Sequence, residues 1–191
     1  MNMTQILRPA ITMVALFTLL LGLGYPLAMT GIAQAAFGWQ ANGSRIVVDG
    51  KLVGSDLIGQ NFASDRYFWP RPSATAEQPY NGGASSGTNL GPTSAKLKGM
   101  VETEIARLKA SGLTDVPADA ATFSGSGLDP HISPAFAAAQ LARVAKARGL
   151  TEADVATAVQ GATEGRAFGL SGEPRVNVLR LNMALDAIKT P

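Results

Sequence analysis

Between Arg8 and Arg45 the chain carries no Lys, Arg, Asp, Glu or His. The apolar heart of that interval, residues 10–37 (AITMVALFTLLLGLGYPLAMTGIAQAAF), exceeds the roughly 20 apolar residues a helix needs to cross a hydrocarbon core. Lipid offers no hydrogen-bond partners, so a segment like this must satisfy its backbone internally, as a helix does. The run predicts a single transmembrane helix over residues 11–33, a short N-terminus at 1–10 and a soluble domain over 34–191. A cleaved secretory signal is the rival reading, because Ala33-Gln34-Ala35 resembles a small-residue cleavage site and Arg8 gives a thin positive flank. Signal cores span only about 7–15 apolar residues, so length favours a retained anchor.

Arg8 is the only charge before Arg45, so all 14 acidic residues and all but one of the 16 basic ones belong to the domain that follows. That near balance gives no clustered basic face, and nucleic acid is not an expected partner. Zero cysteines exclude disulfides and thiolate metal sites, and one histidine, His131, excludes a multi-histidine centre within this chain. Arg8 before the span, set against Arg45 and Lys51 beside Asp49 after it, weakly favours an N-terminus in the cytoplasm. Inside the span, Gly22, Gly24 and Ala28 would let another helix approach closely, and Pro26 removes a backbone donor.

Beyond the span the pattern is α+β, a small β-sheet with several helices. Residues 45–54 (RIVVDGKLVG) place two β-rich runs around Asp49-Gly50, the signature of a two-residue type I′ hairpin. A short helical turn is expected at 55–60, then an extended aromatic stretch at Tyr67-Phe68-Trp69-Pro70-Arg71-Pro72. Residues 73–93 are rich in Gly, Ser, Asn, Pro and Thr, a long loop of the functional or disordered kind. This loop lacks the Gly-Lys-Ser/Thr ending of a phosphate-cradling P-loop. An amphipathic helix follows at 94–111, with Leu97, Met100, Val101, Ile105 and Leu108 on one face. A short strand is expected near 121–123. Ser133-Pro134 and Thr151-Glu152-Ala153-Asp154 each open a helix. The last helix is expected near 176–188, apolar on two sides and central to the core.

Ser126, Asp129 and His131 assemble the residue types of a hydrolase triad. They lie too close in sequence to choose their geometry freely, and the nucleophile-elbow motif is absent. A rigid turn fixed by Pro130 accounts for them better, and no catalytic or metal-binding residue is assigned. Glu173, Arg175, Asn177 and Asn182 raise the possibility of an ion or anion site, but buried asparagines more often fix a loop by hydrogen bonding. Tyr67, Phe68 and Trp69 fit either a core or a partner surface.

Four motifs in order, YFWPRPSA from Tyr67, ASSGTNLGPT from Ala84, GSGLDPHISP from Gly125 and GEPRVNVL from Gly172, follow one N-terminal membrane helix. In this the whole chain resembles the KdpC family, small accessory subunits of the bacterial Kdp potassium-transporting P-type ATPase. The resemblance implies a non-catalytic role in assembling and stabilising a high-affinity potassium uptake pump. Its implied partners are a channel-like potassium-binding subunit, a P-type ATPase subunit, a very small membrane peptide and membrane lipid. It implies a single pass through the cytoplasmic membrane with the domain outside. It also implies a catalytic-chaperone role that raises the ATP affinity of the ATPase subunit, although the residues supply no triphosphate site and no intrinsic cofactor. The competing classes are an anchored extracytoplasmic hydrolase using Ser126 and His131, and a free binding module if the anchor were cleaved.

Overall fold

A computed structural model of the chain describes residues 2–188. The backbone divides into two compact units, Met1–Arg45 and Ile46–Pro191. In the first, one continuous helix runs Met3–Ala36, and its most apolar stretch has a mean hydropathy of 2.0 with no residue buried by protein. It is long and apolar enough to cross a membrane, and an apolar surface left bare by protein is what hydrocarbon would cover. The helix reaches further on both sides than residues 11–33. It comprises α1 (Met3–Phe17), a π-helical stretch (Thr18–Gly24) and α2 (Tyr25–Ala36). Pro26 cannot donate to Gly22, and just ahead of it the Tyr25 amide bonds Leu20 O, five residues back, widening the turn. One further turn, α3 (Gly38–Ala41), ends in a knot where the Trp39 indole donates to Arg45 O at 3.1 Å.

The second unit opens with the expected hairpin, β1 (Arg45–Val48) and β2 (Lys51–Ser55). Asp49 and Gly50 take φ of +50° and +76°, the pair of positive angles a type I′ turn demands. At 55–60 a tight turn closed by a Ser55–Ile58 bridge replaces the expected helical turn. Residues 59–94 then form no helix or strand.

The long helix α4 (Ala95–Ala110) is capped by Ser94, whose hydroxyl accepts from the Leu97 amide. Its expected apolar face is half-buried, and Leu108 fully so. The strand expected near 121–123 does not form. One helical turn, α5 (Ala118–Ala121), occupies the place, where three alanines favour helix and no strand partner is at hand.

A three-stranded antiparallel sheet of order β3-β5-β4 joins His131–Ile132, Arg175–Asn177 and Thr163–Glu164. Its registers are His131–Asn177, Ile132–Val176, Thr163–Val176 and Glu164–Arg175. Helices α6 (Pro134–Arg148) and α7 (Glu152–Gly161) start at the predicted Ser133 cap and Thr151–Asp154 capping box. Gly149, at φ +68°, ends α6. The last helix, α8 (Val178–Ala187), starts later than expected, because residues 175–177 are a strand whose Asn177 then caps it. Val178, Leu181 and Leu185 of α8 meet Phe68, Leu108, Ile132, Phe136, Val144 and Val155 in one core.

Candidate functional site

The extended aromatic stretch runs through that core without belonging to a sheet, and buried backbone polar groups there must find other partners. Two amides supply them. Asn182 of α8 accepts from Phe68 N at 2.8 Å and donates to Phe68 O at 3.1 Å. Gln140 of α6 accepts from Trp69 N at 2.8 Å and donates to Trp69 O at 3.2 Å. Each amide thus takes the place of a neighbouring strand. The preceding carbonyls are held by arginines of α6: Arg143 donates to Asp65 O and Tyr67 O, and Arg148 to Arg66 O at 2.6 Å. The Arg143 guanidinium also lies 3.8 Å from the centre of the Trp69 ring, and burial brings its pKa down to about 10. Arg148 closes the cluster on Asp186 at 2.8 Å, which also accepts from the Tyr67 hydroxyl.

Past Trp69 the stretch meets the glycine-punctuated turn at 124–132. Arg71 pairs with Asp129 at 3.0 Å, and Asp129 also accepts from the His131 amide. Burial works against ionisation of Asp129, but the His131 and Arg71 hydrogen bonds outweigh it and hold the carboxyl below its usual range. The Tyr80 hydroxyl donates to Arg71 O at 2.6 Å, and burial, aided by the charge of Asp129, pushes its pKa well up. The Ser73 hydroxyl donates to Gly127 O, the Ser86 amide and Ser85 hydroxyl both donate to Ser126 O, and the Val178 amide donates to Pro130 O. Gly127 has φ +68°, and a Cβ there would come within 2.7 Å of Ser86 O. All four motifs singled out in the sequence therefore converge on one interlocked network. The 73–93 loop is pinned to the turn beneath it.

His131 lies beside Asp129, but Ser126 does not join them. The Ser126 hydroxyl engages Ser124 Oγ and the Leu128 amide, while His131 sits 3.6 Å from Asp129 and 4.0 Å from Glu164. No hydrogen bond joins Ser126 to His131 among the described residues. Asn177 bonds the Asp56 carbonyl and caps α8, so both asparagines fix loops. The neighbouring carboxylates are each paired: Asp119 with Ser133, Glu164 with Arg175, Glu173 with Arg166 and Asp56 with Arg180. No cluster able to hold a metal ion occurs among the described residues.

The 81–91 loop spends several of its amides internally, Gly83 on Asn81 Oδ1, Ala84 on Asn81 O, Ser86 on Ser126 O and Leu90 on Thr88 Oγ1. Lys96 lines a shallow cleft with Thr75 and Thr88, one cation where a triphosphate needs several. Sequence reasoning missed Gln140, Arg143, Arg148 and Tyr80 as members of the network. For Gln140 a signal existed, a polar residue one turn before Val144 and three after Ala137 on the buried face of α6.

A family model described as K+-transporting ATPase, c chain, matches residues 7–187. Three relatives, each called potassium-transporting ATPase KdpC subunit, align over nearly their whole length. The protein of Allorhizobium ampelinum is 59% identical over 182 residues, 95% of either chain. That of Sorangium cellulosum is 55% identical, covering 96% of this chain and 98% of its own. That of Dechloromonas aromatica is 53% identical, covering 97% and 99%. The chain belongs to the KdpC family of potassium-transporting ATPase subunits.

Proposed function

We propose that this chain is a non-catalytic, membrane-anchored subunit that assembles and stabilises a potassium-transporting ATPase. Its helix crosses the cytoplasmic membrane once with the N-terminus inside, and the folded unit lies outside. It joins a channel-like potassium-binding subunit, a P-type subunit that hydrolyses ATP and a small membrane peptide. It raises the ATP affinity of the hydrolysing subunit by stabilising the arrangement of these partners, without a nucleotide site of its own.

The observation that carries this reading is the near full-length likeness to proteins called KdpC subunits. Three features support the finer parts. Arg8 precedes an otherwise uncharged span. The Gly-rich loop turns several of its donors inward and has no cation between residues 81 and 91. The only histidine lies beside Asp129 and Glu164, and among the described residues no nucleophile is bonded to it.

Copurification tests the reading. A tagged full chain, expressed with the other subunits and extracted in mild detergent, should retain all of them in fixed ratio. Purification of the chain alone from membranes that contain those subunits would refute it. Intact cells expressing the same complex report topology, since the chain has no native cysteine. Lys98→Cys, on the exposed face of α4, should react with an impermeant thiol reagent in intact cells, and Asn2→Cys should not.

A further inference from the structure

The β4–β5 connection carries a Phe168-Gly169-Leu170 tip that the fold does not use. Phe168 is 100% exposed and Leu170 87% exposed, the two most exposed large apolar side chains of the chain's described residues. The tip is nonetheless built firmly. Ala167 and Ser171 exchange both backbone hydrogen bonds, at 2.8 and 3.0 Å, and Arg166 grips both carboxylate oxygens of Glu173 across the base. Below them Arg175 binds Glu164 at 2.9 Å. Phe168 is held at φ +53°, a left-handed conformation disfavoured for a bulky residue that gains no contact in return. Phe168 and Gly169 take consecutive positive φ of +53° and +72°, like the Asp49-Gly50 pair, so the tip sets a bulky aromatic at a turn position where Asn, Asp or Gly is the ordinary choice.

We infer that this tip is an anchor that inserts into an apolar pocket on another subunit of the same ATPase. The inference rests on the reading of the chain as a subunit. The charges around the tip select a protein over a lipid surface. A segment that docks on an anionic bilayer is strengthened by unpaired Lys or Arg around its apolar tip, which the headgroups attract. Here residues 163–175 carry two Arg and two Glu, every one of them paired, for a net charge of zero. Glu173 is largely exposed on the rim, where anionic lipid would repel it. A pair of apolar anchors inside a neutral polar rim is the layout of a protein–protein contact centre, in which a few aromatic residues carry most of the binding.

The test uses the full chain, coexpressed with the other subunits and carrying the photo-crosslinking residue benzoylphenylalanine in place of Phe168. Ultraviolet illumination of the membranes should yield an adduct of this chain with one other subunit, identified by mass spectrometry. The same residue in place of Lys98 should yield none. A Phe168→Ser/Leu170→Ser variant, altered only at exposed positions, should copurify with the complex about tenfold less. An adduct with lipid alone, no adduct in a complex that contains the chain, or full copurification of the double variant would overturn the anchor and leave the subunit reading standing. A chain that copurifies with no subunit would overturn both.

Discussion

Two side-chain amides decide how the centre of the folded unit is built. Replacing Asn182 by Leu keeps the volume but strands the amide and carbonyl of Phe68, a residue with no exposed surface. Each unsatisfied buried group costs about 1–3 kcal/mol, so the variant should lose about 3 kcal/mol in total. Thermal unfolding of the detergent-solubilised chain should report a fall of about 10 °C. A fall below about 2 °C would mean that the amide is not a strand substitute. Asp129 sets a pH dependence. Its folded pKa lies below the ordinary value of 3.8, so its contribution to stability is fully present above that value. The contribution is lost as pH falls through the lowered folded pKa. Asp129→Asn should therefore lower stability at neutral pH and leave a shallower acid limb in a stability–pH profile, whereas parallel profiles would contradict the Arg71 and His131 contacts.

Among elements, what the sequence disclosed was what is locally determined. The Asp49-Gly50 turn, the Ser133 cap and the Thr151–Asp154 box each need only a few neighbouring residues, and all stand where expected. The β5 strand was hidden because its pairing partners lie at His131–Ile132 and Thr163–Glu164, while Val176 continues the apolar spacing of α8. The strand expected at 121–123 is absent because Ala118, Ala120 and Ala121 favour a helical turn. The polar network was half legible. Its four motifs stood out, but the arginines of α6 are far in sequence from the carbonyls of Asp65, Arg66 and Tyr67 that they bind, and no local pattern links the two. In the membrane helix, no side chain lies within 4 Å of a Cβ built on Gly31, and the one contact at Gly24 is backbone at 3.5 Å. Gly24→Leu or Ala28→Leu adds bulk without lowering hydrophobicity, so these variants should insert normally yet copurify poorly with the other subunits. Undiminished copurification would make the helix a passive tether.

In the whole molecule an apolar helix is joined to a unit whose polar residues are largely committed to holding irregular chain in place. The central claim is that the chain contributes to a potassium-transporting ATPase by contact and has no nucleotide site. Calorimetric titration of the full chain in detergent with magnesium-ATP tests it most directly, with the assembled complex as the positive control. The account predicts binding no tighter than roughly millimolar, about −4 kcal/mol, by the chain alone. Micromolar binding by the chain alone, abolished by changes in the 81–91 loop or at Lys96, would contradict it.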